Sequence, residues 1–212
     1  TLEVNVADIY TKGAASTEAI YTIITNRTEN SFGPQSIGNT NFQADKEKGV
    51  ASLSPNSLIA QLRNAEPTDK RFSDLFTSAD GLVYVDKKYP SLDSDYIVLR
   101  LPEMYLTRAE ASIMVSGSVS AAAVSDVNKV RTRAGISSIS GTPSSAAMLE
   151  TIYNERSKEL CFEYGDRFLN TRRVKKDIVA ENGNGTIAYS TYNELLVYPI
   201  PQSEVDIHNL KR

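Results

Sequence analysis

Arg100-Leu101-Pro102-Glu103-Met104-Tyr105-Leu106-Thr107-Arg108-Ala109-Glu110-Ala111 follows an extended-looking run and repeats arginine and glutamate at helical spacing. Pro102 suits a first helical turn, where its missing N–H is no loss. No breaker follows until Gly117, so the spacing predicts a helix over 102–116. A second helix should follow a tight connection, capped by Ser118 or Ser120 and ending at Gly135. Within it Ala123, Val127, Val130 and Ala134 fall at i, i+4, i+7 and i+11, which is one face. Two helices joined so closely make an αα-hairpin. A third helix is predicted from Ser144 or Ser145 to about Tyr164. Gly165 breaks it, and a shorter fourth is expected over 166–174.

The sequence on either side is less regular. Residues 16–24 are rich in β-branched and aromatic residues and read as a strand. Residues 26–41, loaded with Asn, Ser, Gly and Thr, read as a long loop. Ser54-Pro55 starts a short helix whose apolar face is Leu58, Ile59 and Leu62, and residues 67–76 form another. Strands are expected at 82–85, after a turn at Asp80-Gly81, and at 96–99. Asn182-Gly183-Asn184-Gly185 reads as a hairpin-type turn, and residues 194–200 as an extended segment. The predicted class is mainly α, with αα-hairpins, long irregular loops and a few short β-strands. One domain is expected over 1–212: an irregular, short-strand region over about 1–95, a helical core over about 100–175, and an irregular segment over 176–212.

Composition narrows the function. The 23 Lys and Arg residues against 26 Asp and Glu give a net charge of −3, without the basic footprint of a nucleic-acid binder. No run approaches the roughly 18 apolar residues that cross a bilayer. Thr1 to Asn5 lack the basic and apolar segments of a secretory signal, and the chain is expected to be a fragment or a processed form. Cys161 is the only cysteine and His208 the only histidine. Cys161 is expected to be a buried mid-helix residue. Zinc, bound mainly through those two residue types, is not expected; an all-carboxylate metal site stays open on composition, and no metal or cofactor is assigned.

Ionic residues recur where an amphipathic helix would place Leu or Ile. Glu155, Glu159 and Glu163 sit at i, i+4 and i+8, within about 80° of one another on a helix. Like charges at that spacing cost an isolated helix about 0.2–0.5 kcal/mol per pair, so cations must face them. Arg156 and Arg167 are candidates within the segment; Arg100, Arg108, Arg131 and Arg133 are candidates from the first hairpin. One reading is a glycosidase-like pair, which needs a carboxyl of raised pKa opposite an ionised one. Abundant arginine does the opposite, lowering carboxylate pKa values. The other reading is a lattice of bidentate Arg–carboxylate pairs that holds helices in register. The expected members are Arg100, Glu103, Arg108, Glu110, Arg131, Arg133, Glu155, Arg156, Glu159, Glu163 and Arg167. No phosphate loop, nucleophile elbow or triad histidine is present, and no catalytic residue is expected.

Tyrosine offers a stacking surface for a sugar ring. Tyr105, Tyr153 and Tyr164 fall at helical positions and read as core or inter-helix residues. Tyr84, Tyr89, Tyr189 and Tyr192, in strands or loops, are the candidates to meet a ligand.

Four stretches in order, with two weaker ones upstream, resemble the C-terminal part of the SusD/RagB family. Leu99 to Ala111 resembles its "RxxEvyLxxAEA" helix, and Asn128 to Gly135 its "NxvRxRAG". Glu155 to Glu163 with Arg167-Phe168 resembles "ERrxELxfEgxRf", and Pro199 to Val205 the closing "PIPqxEi". Asp69-Lys70-Arg71-Phe72 and Lys88-Tyr89 resemble weaker upstream marks, so the likeness spans about residues 69–205. The chain departs from the pattern at Tyr164 (often Gly), Asn170 and Thr171 (often Asp-Leu) and Val174 (often Trp).

The resemblance implies a mostly helical, tetratricopeptide-like fold and a non-enzymatic lipoprotein on the outer-membrane surface of Bacteroidota. Such proteins capture glycan, or in some members peptide, and pass it to a SusC-like TonB-dependent transporter. It also implies an N-terminal region and lipidated cysteine outside this chain. The competing expectations are a tetratricopeptide-like adaptor for protein partners and a helical glycoside hydrolase using carboxylates of the 155–163 run.

Overall fold

The computed structural model describes residues 1–24, 58–64, 67–79, 82–90, 94–179, 186–189 and 201. In chain order the elements are α1 (Asp8–Lys12), β1 (Ala19–Ile23), α2 (Leu58–Arg63), α3 (Arg71–Leu75), β2 (Thr77–Ala79), β3 (Leu82–Tyr84), β4 (Tyr96–Arg100), α4 (Leu101–Ser116), α5 (Ala121–Ala134), α6 (Ser145–Glu159), α7 (Asp166–Arg173), β5 (Ile178–Val179) and β6 (Thr186–Ile187). The class is mainly α. The strands pair antiparallel in twos: β1 with β4, β2 with β3, and β5 with β6. The loop expected over 26–41, the Ser54-Pro55 helix start, the turns at 80–81 and 182–185, the segment at 194–200, the closing stretch at 199–205 (save Pro201), Tyr192 and His208 lie outside the described residues.

The helical hairpins follow their local signals. Arg100 is extended, Pro102 sits in the first turn of α4, and Gly117 ends it in the left-handed conformation. Ser120 is the cap of α5, its Oγ accepting from the Ala123 N–H at 3.1 Å, and Ser144 caps α6 in the same way. Leu106, Ala109 and Ile113 of α4 pack with Ala123, Val127 and Val130 of α5 and with Met148 and Ile152 of α6. A second cluster joins α1, α2, the β2–β3 hairpin and Ile97, and takes in Cys161.

α6 connects the two clusters. Met148, Ile152, Glu155 and Glu159 form its inward stripe at i, i+4, i+7 and i+11. The stripe is apolar for its first half and ionic for its second. The helix ends at Glu159, five residues before the predicted end, so Glu163 and Cys161 are not helical residues. Cys161 is nevertheless fully buried. A second departure is α1, a short helix in a region that carries no periodic signal.

Gly135 shows how tightly the irregular part closes on the hairpins. Its φ is +85°, and a Cβ there would lie 2.4 Å from the Thr68 carbonyl oxygen. The neighbouring Lys70 N–H donates to the Ala134 carbonyl at 2.9 Å. Gly135→Ala must therefore bear both backbone strain and a clash with backbone, and is expected to cost about 1–3 kcal/mol. A lower midpoint in urea unfolding at unchanged slope checks this; an unchanged midpoint would mean the 68–70 segment simply moves aside.

Candidate functional site

The early end of α6 has an identifiable cause. The last carbonyls of a helix lack intrahelical donors; here a distant side chain supplies that of Glu159, and two others hold the carbonyls of the turn that follows it. Arg100 Nη2 donates to the Glu159 carbonyl, Lys88 Nζ to that of Cys161 at 2.5 Å, and the Tyr89 hydroxyl to that of Phe162 at 2.6 Å. Cations at a helix C-terminus also oppose its dipole. The chain then turns sharply, with Phe162 at φ 59° and Tyr164 at φ 30°, conformations that non-glycine residues keep only where their surroundings enforce them. The turn sets Glu163 against Arg100, which also holds Glu159.

Around that turn lies a connected ionic network. Arg71 grips Asp69 through Nε and Nη2 at 3.0 and 2.7 Å and reaches Glu155 at 2.9 Å. Arg131 holds the other oxygen of Glu155 at 2.7 Å. Arg100 donates to both oxygens of Glu163 at 2.9 Å and to Glu159 at 2.5 Å. Arg133 bridges Glu159 and Glu18, the latter at 2.6 Å. Lys88 and the Tyr10 hydroxyl complete the shell of Glu163 at 2.5 and 2.7 Å. Among the described residues, five carboxylates (Glu18, Asp69, Glu155, Glu159, Glu163) thus meet five cations (Arg71, Lys88, Arg100, Arg131, Arg133). The formal charges cancel, as a nearly closed interior requires.

The electrostatics follow from this arrangement. Burial alone would raise the pKa of Glu159, but the guanidinium groups of Arg133, Arg100 and Arg71 outweigh it and hold the carboxyl below the usual range. For Glu163 burial is likewise outweighed, by Arg100 and Lys88, and the pKa falls to about 2. Glu18 behaves differently: burial dominates the contribution of Arg133 and raises its pKa. Its Oε2 and that of Glu159 have no hydrogen-bond partner among the described residues. Carboxylates held ionised and closed from solvent are poorly suited to donate a proton to a leaving group.

The other expected lattice residues sit nearer the surface. Arg156 ties Glu103 to Asp166 at 2.6 and 2.5 Å. Arg108 pairs with Asp126 through two 2.7 Å bonds, and Glu110 is paired by Arg173 at 2.6 Å. The cations on Glu163 are thus Arg100 and Lys88, not the Arg167 that helical spacing indicated; Arg167 instead lines a cleft. Glu18, Asp69, Arg71 and Lys88 were not among the expected members. Single charges in a strand, a loop or the first turn of a short helix have no period to mark them, although 69–72 and 88–89 belong to the family-like stretches.

Two of the four tyrosines expected to meet a ligand are enclosed by packing. Tyr84 and Tyr89 are buried, Tyr84 beside Val83 and Val85 and Tyr89 with its hydroxyl committed to Phe162. Tyr189 is exposed. Tyr153 is half-buried, its hydroxyl 3.1 Å from Thr171 Oγ1. It lines a cleft of about 340 Å³ between α2, α6, α7 and the 160–165 turn. Phe162 and Phe168 add rings, and Ser157, Asp166 and Arg167 add polar groups. The cleft is at the lower end of the ~300–1,000 Å³ common for small-molecule sites.

Comparison with known proteins matches residues 84–209 to the SusD family. Among solved structures, a SusD superfamily protein from Parabacteroides distasonis ATCC 8503 is similar with TM-score 0.72 at 19% identity, over 99% of this chain and 52% of that one. A SusD superfamily protein from Bacteroides fragilis gives TM-score 0.72 at 24% identity, over 100% and 49%. Surface glycan-binding protein A from Bacteroides uniformis gives 0.68 at 21% identity, over 98% and 51%. The chain spans about half the length of these proteins. No curated protein matches it. The matched residues run from Tyr84 through β4 and the helices α4–α7, including the carboxylates Glu155, Glu159 and Glu163 at the centre of the ionic network, and the chain belongs to the SusD family.

Proposed function

We propose that the protein captures glycan at the bacterial cell surface and passes it, uncleaved, to a SusC-like TonB-dependent transporter in the outer membrane. The observation that carries this reading is the family match over residues 84–209. One protein of similar fold is named a surface glycan-binding protein. The chemistry of the interior agrees: the carboxylates best placed by sequence for acid–base work are neutralised by arginine and closed from solvent. Attachment to the outer membrane through an N-terminal lipid outside this chain belongs to the same proposal. Among the described residues no helix is long and apolar enough to cross a membrane.

A glycan and peptide array, followed by incubation of the protein with its best polysaccharide ligand, tests the reading. Saturable glycan binding with no new reducing ends is the expected result. Steady release of reducing ends would replace capture by hydrolysis, and binding confined to peptides would replace the ligand class.

A further inference from the structure

Helix α4 is apolar on both of its sides. Its inward stripe, Leu106, Ala109 and Ile113, packs with α5 and α6. Its outward arc, roughly 120° of the helix, carries Met104, Thr107, Arg108, Ala111, Met114 and Val115, all exposed. A surface helix ordinarily fills such an arc with charged and polar residues, as α6 does with Glu150 and Asn154. On α4 the arc instead leaves Met114 68% and Val115 89% exposed.

The two polar members of the arc are turned to its flanks. Arg108 donates to Asp126 of α5 through two 2.7 Å bonds. Thr107 Oγ1 accepts from Arg156 Nη1 of α6 at 3.2 Å. Met104, Ala111, Met114 and Val115 are left along the middle, with the small Ala111 between longer side chains. A second helix seated over Ala111 could approach to the usual interaxial distance of about 8–10 Å. A helix that is apolar all round belongs in an interior, covered from both sides.

Chain length and the stacking of helical hairpins identify the cover. This chain covers 52%, 49% and 51% of three proteins that match nearly all of it, so about as many residues again lie outside it in those relatives. Stacked helical hairpins bury their apolar faces against one another, and a hairpin that ends a stack carries a polar outer face. The outward face of α4 is not polar, so the α4–α5 hairpin is not built as an end. We propose that this face is the seat of a helix from the half of the polypeptide that lies outside this chain, with Met114 and Val115 buried in the joint.

The test uses the full-length protein and needs no glycan. Peroxide oxidation, read at each methionine by mass spectrometry, compares the folded protein with the same protein in guanidinium. Met148 is fully buried within this chain and serves as the internal standard. Met114 should match it, oxidising roughly tenfold more slowly in the folded protein than in guanidinium. A photoreactive benzoylphenylalanine placed at Val115 then identifies the neighbour. The expected cross-link joins it to a peptide of the same polypeptide outside these 212 residues. Met114 oxidised as fast in the folded protein as in guanidinium would overturn the seat. A cross-linked dimer would replace the occupant by a second copy, and a cross-link to another protein would replace it by a separate partner. A cross-link within residues 1–212 would replace it by a segment of this chain, and each of these three results overturns the proposal.

Discussion

Glu159→Ala is expected to lower the melting temperature by roughly 6–20 °C. Breaking a buried ion pair by removing one partner costs about 3–5 kcal/mol, and 1 kcal/mol shifts the midpoint of a chain this size by about 2–4 °C. Glu159 is fully buried and meets Arg100 and Arg133, with Arg71 Nη1 at 4.0 Å. Its loss leaves five cations facing four carboxylates among the described residues of the network, three of the cations buried (Arg71, Lys88 and Arg100), and arginine cannot relieve the excess by losing a proton. Glu159→Gln keeps the volume and removes only the charge, so most of the loss should persist. Arg173→Ala breaks a pair whose cation is half exposed; such pairs contribute at most about 1 kcal/mol, and its shift should stay within about 4 °C. Glycan affinity of the folded protein should be unchanged in all three. Differential scanning calorimetry reads the result, and a Glu159→Ala midpoint within a degree of the parent would remove the network from any structural role.

What the sequence disclosed and what it concealed divide along the range of the interactions. The stripe Ala123, Val127, Val130, Ala134 is buried as its period indicates, because helical spacing is a local property. The start of α6 is equally local, one serine side chain on one backbone N–H. Its end is not. Lys88 and Tyr89 reach the carbonyls of Cys161 and Phe162 from 73 residues upstream, and no window around residue 160 contains them. Local propensity alone carries the helix on to Gly165.

The candidate site shows the same division. Glu155, Glu159 and the arginines of the first hairpin are legible because they interrupt a predicted apolar stripe. Asp69 and Arg71 fall at the start of a short predicted helix and Lys88 in irregular sequence, places where a charge is the ordinary surface residue, and only the fold makes them interior. Tyr84 and Tyr89 mislead for the converse reason: a tyrosine in a strand or loop looks available until packing encloses it. The cleft has no sequence signature at all. Its lining comes from elements far apart in the sequence, which only the fold brings together.

Acid is expected to unfold the protein along a curve with two limbs. Glu159 and Glu163 have folded pKa values below the ordinary carboxylate value, that of Glu163 at about 2. A depressed carboxylate contributes stability that is fully present above its unfolded value and is lost as the pH falls towards its folded value. For Glu163 the shift from 4.5 to about 2 amounts to about 3 kcal/mol, lost between about pH 5 and pH 2. Glu18 and Asp166 have the opposite sign, because burial raises both. Their ionised forms cost stability at neutral pH, and protonation relieves that cost as the pH falls through their raised folded values. The melting temperature should therefore hold level or rise slightly on approach to about pH 5, then fall steeply below about pH 4. Circular dichroism melts at closely spaced pH values read both limbs. Glu163→Gln should lower the plateau, because Lys88 and Arg100 lose their anion, and make the acid limb shallower by about one proton. A parent protein whose melting temperature is flat from about pH 5 to pH 2.5 would show that these carboxylates are not held ionised by the cations around them, and the network would have to be redrawn with neutral acids at its centre.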